Sequence, residues 1–587
     1  MGKSDKADNW MTDGNSPGTA HVRHRAGGFA GAVCGVLAAA VSVGIGQLLA
    51  GLSVPAASPV IAVGQAAIGL TPAPVSDWAK QNLGTNDKNV LLAGVVVVLL
   101  IFAAVIGTFA VQRLAYGYAG LVVLAVVGLS AALTRAGANA GYAFPTLGGA
   151  IVAAFALSWL VHRARDLAAA PAPAAAPLPR IAFEAPDDLR PPDLPGELAP
   201  PDLPGAEPSS ETAAPNAPRA STTASFPAIL ERPTARRSFL VASGVTLGAA
   251  AIGEYAGREL STRKNVSAAQ AAVKLPRPTV PAPPLPAGAN LPVPGISSFI
   301  TPNSQFYRVD TAILLPEVDP ANWTLRIHGM VDHPMTVTFD DLLRRPLIED
   351  YITLTCVSNP VSGPYVGNAK WLGASLASLL KEAGIQPQAS QLLCTSTDGF
   401  TSGTPASVVM DGRDALVAVA MNDTALPVAH GFPARLVVPG LYGYVSATKW
   451  VTDINVTTFA DASAYWVQQG WAQQGPIKTE SRIDVPGSGS QVKAGRTAVA
   501  GVAWAQHKGI EAVEVRIDNG PWHEATLAAV PDLDTWRQWV WYWDATPGSH
   551  TISARATDKT GYTQTSIQVP TAPNGASGYP VNTVTVS

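Results

Sequence analysis

The chain has 587 residues, 47 % of them hydrophobic and only 14 % charged, with a mean hydropathy of +0.19. Such a length and balance imply several domains, a membrane portion joined to a soluble one. The net charge of −3 argues against nucleic-acid or acidic-surface partners, and three cysteines, Cys34, Cys356 and Cys394, exclude a disulfide framework and an iron–sulfur cluster held by four thiolates of this chain. The sequence contains no CxxCH haem-attachment site, no GxGxxG after a strand and no P-loop.

Four runs in the first third are long and apolar enough to span a hydrocarbon core of about 30 Å: Gly27–Leu52, Val90–Val111, Leu114–Thr134 and Pro145–His162. By strict alternation the basic flanks at His21–Arg25, Arg113 and His162–Asp166 fall on one side, which the positive-inside rule makes cytoplasmic, with Arg135 the minor exception. Residues 1–26 are then a cytoplasmic tail. Residues 163–235 form a Pro/Ala-rich linker, with a near-duplication in "PPDLPGELAPPDLPG", that cannot bury a core. At 236–256 the pair Arg236 and Arg237 precedes a weakly apolar run from Phe239 to Gly253, the pattern of a twin-arginine export signal placed mid-chain. If this fifth segment crosses, everything downstream lies outside the cytoplasm.

A second Pro-rich linker, 257–295, leads to a globular region, 296–474. Here "WTLRIHGMVDHPMTVTF" predicts a hairpin, "DDLLRRP" a helical turn stopped by Pro346, "YITLTCV" a buried strand and "LASLLKEAG" a helix ended by Gly384. Residues 475–587 alternate as several strands between turns, the pattern of a β-sandwich. The predicted fold class is therefore a multi-domain chain: an α-helical membrane bundle, an α+β domain, then a β-sandwich.

Two stretches carry chemistry. In "YITLTCVSNPVSGPYVGNAKWLG" Cys356 ends a strand and enters a Gly/Pro/Asn loop, a position that suits a soft-metal ligand or a nucleophile, and equally a small buried residue. In "LPVAHGFPARLVVPGLYGYVSATKWV" His430, Arg435 and Lys449 flank a buried strand and a Gly-rich turn, so groups that bind phosphate or heterocycles converge beside backbone amides.

The stretches "CVSNP…GNAKWLG" and "HGFPARLVVPG…KWV" resemble the sulfite oxidase family of molybdopterin enzymes, and the tail from "VAGVAWAQHKG" to "TISARATD" resembles that family's immunoglobulin-like dimerisation domain. The resemblance covers roughly residues 296–587 and implies a molybdenum cofactor. By position it implies that Cys356 ligates molybdenum, that His430 and Arg435 bind the molybdopterin phosphate and pterin, and that Ala447, Thr448 and Lys449 contact the pterin. "TPNSQFYRVDT" resembles the first cofactor-contacting segment, making Tyr307, Arg308, Asp310 and Thr311 candidates, with Arg308 also catalytic. Asp398 falls near a further pterin-contacting stretch. The family's substrate arginine and histidine align with Val309 and Thr311, a one-residue shift recovers Arg308, and Trp471 stands where the family has a tyrosine. A dianion such as sulfite loses paired donors there, and a neutral sulfoxide becomes an equal candidate.

None of the nine histidines lies inside a predicted helix interior, so neither haem nor an iron–sulfur cluster is expected in this chain. The implied partners are a small-molecule substrate, a separate cytochrome or quinone-linked membrane protein, the twin-arginine translocase and a second copy of the chain. The expected location is a bacterial cytoplasmic membrane, multi-pass, with the catalytic domain outside. A non-catalytic scaffold and a transporter with an extracytoplasmic binding domain are the rival readings.

Overall fold

The computed structural model describes residues 17–53, 57–72, 75, 79, 87–135, 138–169, 231–262 and 266–587. Most of the expected Pro/Ala-rich linker, including its near-duplication, lies outside the described residues, as do residues 1–16 of the expected tail and the side chain of Arg236.

Among the described residues seven α-helices come first: α1 (Pro17–Leu52), α2 (Pro59–Leu70), α3 (Asp87–Gln112), α4 (Leu114–Leu133), α5 (Ala143–Ala169), α6 (Glu231–Thr262) and α7 (Val266–Ala272). Among the described residues five segments are long and apolar enough to cross a membrane, Gly28–Leu52, Lys88–Gln112, Leu114–Leu133, Ala140–Leu167 and Arg237–Gly257. They coincide with the five predicted segments to within about a turn or two of helix. Helix α2, at 12 residues, escaped the sequence criterion because it is too short to span.

The bundle closes on small residues. A Cβ added to Gly253 of α6 would lie 2.7 Å from the carbonyl of Gly44 on α1, and one on Gly257 would lie 2.6 Å from that of Gln47. At the other end of α1, a Cβ on Gly31 would lie 2.7 Å from the carbonyl of Gly107 on α3. Backbone contact at this range favours glycine at these positions of apolar helices. At the end carrying Gln112 and Arg165, the Arg165 guanidinium donates to the carbonyls of Val111 and Ala110 at 2.9 and 3.1 Å. The opposite end carries α2, the start of α3 and the end of α6, and meets the globular part.

That part begins as α7 docks: Val266 is buried beside Phe306, Trp371 and Phe432, and Gln270 Nε2 donates to the Leu426 carbonyl at 2.6 Å. The Pro-rich stretch that follows is extended, as prolines require, and lies along the folded domains. Thr279 N donates to the Leu347 carbonyl at 2.8 Å and Leu291 N to Gln538 Oε1 at 2.6 Å.

The next domain has two sheets. One orders its strands β2-β1-β10-β5-β6, from β1 (Thr324–Gly329), β2 (Met335–Thr338), β5 (Gln391–Ser396), β6 (Thr401–Pro405) and β10 (Val451–Thr457). The other runs β3-β4-β7-β8 with β9 beside β7, from β3 (Leu347–Thr355), β4 (Val366–Ser375), β7 (Leu416–Met421), β8 (Thr424–Ala425) and β9 (Arg435–Val437). The predicted hairpin is β1–β2, pairing Thr324 with Thr338. The helix Leu376–Ala383 ends at Gly384, whose φ of 71° favours glycine. Strand β3 is buried along most of its length because β4 covers one edge and the C-terminal unit packs on it.

The C-terminal unit is a pair of sheets around one core of Val499, Val513, Val515, Trp539 and Ile552. It braces the end of β3: Gln506 Nε2 donates to the Thr353 carbonyl at 2.9 Å and to Thr355 Oγ1 at 3.1 Å, and Trp536 N donates to Thr353 Oγ1 at 2.7 Å. Two domains therefore hold the residue before Cys356.

Candidate functional site

Cys356 follows β3 directly, is buried, and is in no disulfide, like Cys34 and Cys394. Its backbone N–H donates to the Tyr365 carbonyl at 2.9 Å and its carbonyl accepts from Asn359 N at 3.0 Å, which closes the loop predicted from "CVSNP" into a tight turn. Cys394, by contrast, lies within β5, where burial pushes its thiol up to about 12.

His430, Arg435 and Lys449 converge, as the sequence suggests. Gly431 has a φ of 111°, and a Cβ there would lie 3.0 Å from Arg435 Cβ and 3.1 Å from Lys449 Cα, so the turn between them needs glycine. Arg435, the first residue of β9, is buried under Trp371 at 5.0 Å from the ring centroid, and its described hydrogen-bond partners are backbone carbonyls, those of His430 at 3.1 Å, Ala447 at 3.3 Å and Leu436 at 3.4 Å. Burial lowers this guanidinium to about 10, with Tyr307 opposing the shift. His430 sends Nε2 to the Asn303 carbonyl at 3.1 Å, and burial, then Arg435 and Lys449, lower it to about 4, so its ring is neutral at neutral pH.

Lys449 bonds Asp310 Oδ2 at 2.7 Å and lies over Trp450; burial lowers it to about 8 against the pull of Asp310. Asp310 is the hub. Its oxygens also accept from Lys88 at 2.5 Å and Arg308 at 2.9 Å. Burial alone would raise its pKa, but Lys449, Lys88 and Arg308 more than offset that and hold it well below the usual carboxylate range.

These groups line a cavity of about 340 Å³, within the size class of small-molecule sites. Of the predicted residues, Cys356, Tyr307, Asp310, Thr311, Asp398, His430, Arg435, Ala447 and Lys449 line it. Thr448 does not; it is buried behind the wall with its hydroxyl 2.6 Å from that of Ser402. Arg308 does not either. Its side chain is 38 % exposed and turned to Asp310, because the buried carboxylate captures it from the solvent side. The expectation that Arg308 reaches the reacting centre is thus not what the geometry shows. Val309 and Trp471 are both in the wall.

Sequence reasoning missed three groups of lining residues. Tyr444 and Trp466 join Trp471 in an aromatic wall, with ring centroids 6.1 Å and 6.2 Å from that of Trp471. Val357 and Ser358 extend the wall beyond Cys356. Ile68, Thr71, Lys88, Val90 and Leu91 come from the N-terminal helices and the residue after α2. The only signal for the last group was a lysine at the head of an apolar run.

A soft thiol beside buried cations defines a site for an anionic, sulfur-held cofactor. One observation supports the fit of a molybdopterin: among the described residues, buried Arg435 is hydrogen-bonded to backbone carbonyls rather than to a carboxylate. A phosphate or a pterin edge answers that need.

Residues 312–466 match the family model described as the oxidoreductase molybdopterin binding domain. The uncharacterized oxidoreductase YuiH of Bacillus subtilis (strain 168) is 30 % identical over 157 residues, 27 % of this chain and 76 % of that protein. Mitochondrial sulfite oxidase of Rattus norvegicus is 26 % identical over 287 residues, 42 % of this chain and 52 % of that enzyme. The crystal structure of the sulfane dehydrogenase SoxCD from Paracoccus pantotrophus aligns at 24 % identity over 49 % of this chain and 84 % of that one, with a TM-score of 0.42. The chain belongs to the molybdopterin-binding oxidoreductases of the sulfite oxidase family. It spans about half the length of the first mammalian and insect sulfite oxidases it matches, 52 % and 47 %.

Proposed function

We propose that the protein is a membrane-anchored molybdopterin oxidoreductase that transfers an oxygen atom to or from a small substrate outside the cytoplasmic membrane. The carrying observation is the convergence of the Cys356 thiol with a buried Arg435 whose hydrogen-bond partners among the described residues are backbone carbonyls. The cofactor, when bound, supplies the two-electron redox change and the site of oxygen exchange. Cys356 is its protein sulfur ligand. Arg435, with Lys449 and neutral His430, holds the phosphate and pterin, joined by Tyr307, Thr311 and Ala447 in the wall and Asp398 at its edge. Asp310 keeps Lys449 charged and aimed, and Thr448 and Arg308 act one layer out.

The substrate face favours a neutral oxo compound of the sulfoxide class over sulfite. Val357, Tyr444, Trp466 and Trp471 give the cavity an apolar and aromatic wall, on which a neutral oxo compound finds packing surface that a dianion cannot use. Turnover of the purified full chain with a reduced viologen dye tests this. Sulfoxides should be consumed, and preferential oxidation of sulfite with an oxidised dye would reverse the assignment.

Anchoring and export rest on the bundle. Arg237 begins one span and Arg165 ends another at the end remote from the catalytic domain, the arrangement that places basic residues in the cytoplasm and the cofactor outside. The twin arginines suit a domain that must be loaded before crossing. Replacing Arg236 and Arg237 by lysine should protect residues 266–587 of intact spheroplasts from added protease; unchanged digestion would remove the export reading. The C-terminal sheets are assigned to an immunoglobulin-like dimerisation unit, which the mass of the detergent-solubilised full chain tests.

A further inference from the structure

The membrane bundle does more than sit beside the cavity. Ile68 and Thr71 of the α2 end and Lys88, Val90 and Leu91 of α3 form part of its wall, together with the aromatic side chains of Tyr444, Trp466 and Trp471. The attachment is specific. Lys88 Nζ reaches Asp310 and the Ala312 carbonyl at 2.5 and 2.6 Å, and Gln65 Nε2 donates to the Thr311 carbonyl at 2.9 Å. The membrane-spanning part of α3 starts at Lys88 itself, so the cavity lies at the level where that span ends.

Among the described residues on this side Leu70 is 83 % exposed, Val90 50 % and Leu314 43 %, with Asn89 exposed among them. Along α3 the exposed Val97, Ile101 and Phe102 continue the apolar collar. In water so many exposed apolar side chains beside a charged site would be unfavourable. At a lipid interface they form an entrance. The aromatic rings of the wall offer flat surfaces suited to a planar ring.

We propose that a quinone headgroup enters the cavity from the lipid side, past α2 and the start of α3, and is the two-electron partner of the site. The inference rests on the oxidoreductase reading above. The exchange balances without a further reactant. A quinol and an oxo compound XO give a quinone, X and water: both quinol O–H bonds and the X–O bond break, two O–H bonds of water form, the quinol is oxidised and X is reduced. The reverse reaction oxidises X with water as the oxygen source. Substrate and quinol use in turn the part of the cavity that the bound cofactor leaves open.

The test uses the cofactor-loaded full chain in phosphatidylcholine nanodiscs and an azido-substituted short-chain benzoquinone as photolabel. Label should concentrate in peptides around Ile68, Leu91 and Trp466–Trp471. Leu91→Trp and Ile68→Trp, each filling the membrane-side wall, should weaken labelling by about tenfold, the scale of overfilling a fitted apolar site. Val123→Trp, on the exposed face of α4, should leave it unchanged. Label spread evenly over the lipid-facing helices, or indifferent to both wall variants, overturns the proposal. Molybdenum content and dye-linked turnover are read on the same preparation. Protein that holds metal and turns over but shows no site-directed label refutes the quinone site alone, whereas metal-free, inactive protein refutes the underlying function.

Discussion

Between α1 and α6 the buried contact is glycine against backbone, whereas the cavity beside β9 buries a guanidinium, an ammonium, an imidazole and a carboxylate within one loop cluster. The α1–α6 interface is held by close backbone packing at glycines. The cavity is held by charge. Asp310 answers Lys449, whereas among the described residues Arg435 is answered by backbone carbonyl dipoles. One region is built to hold itself together, and the other is built to hold something else.

The sharpest break of this contrast is Cys356→Ser. Even outer partners of a metal cost about 10- to 100-fold, so loss of the sulfur ligand should lower dye-linked turnover by about a hundredfold or more, with the circular dichroism of the fold unchanged. Arg435→Met should show opposite signs in two forms. Each charge-assisted bond to the cofactor contributes about 1.5–3 kcal/mol, so loaded protein should lose cofactor on dilution, while cofactor-free protein should melt at the same temperature or higher, freed of a buried cation. Melting curves of both forms check it.

The pH response sharpens the comparison further. His430 has its pKa lowered to about 4 by burial, so the unfolded chain binds the extra proton between its ordinary value of about 6.5 and that lower one. Stability of cofactor-free protein is then complete above about pH 6.5 and falls as pH drops toward 4, by about 3 kcal/mol from this residue at about 1.4 kcal/mol per unit. His430→Gln should flatten that part of the acid limb. For Asp310 the sign is the same but the window lies lower: its stabilising pairs are intact above the ordinary carboxylate range and fail as pH falls below it. The smallest effect belongs to Lys88→Ala. Asp310 keeps Lys449 and Arg308, so about 1 kcal/mol is lost, seen as faster hydrogen exchange at residues 307–313 with little change in metal content.

The long elements were legible because their signals are local. Charge-free runs gave the spans, and "YITLTCV" and "LASLLKEAG" gave β3 and the helix ending at Gly384. Cys356, His430, Arg435 and Lys449 were legible through motif and order, and their joint place in one wall follows from a single glycine turn. The rest depends on contacts far apart in sequence. The pairing of Lys88 with Asp310 spans 222 positions and no local pattern announces it. Helix α2 was too short for a span and too apolar for a loop. Arg308 was misplaced because its neighbours fix which residue is nearby but not which way the side chain turns, and the buried Asp310 decides that.

The central claim is that the cavity of Cys356 and Arg435 holds a molybdenum cofactor. Elemental analysis of the purified full chain, beside Arg435→Met and Cys356→Ser proteins of unchanged fold, tests it most directly. The account predicts stoichiometric molybdenum in the native chain and marked loss in both variants. Native protein without molybdenum, or variants that retain it in full, would contradict it.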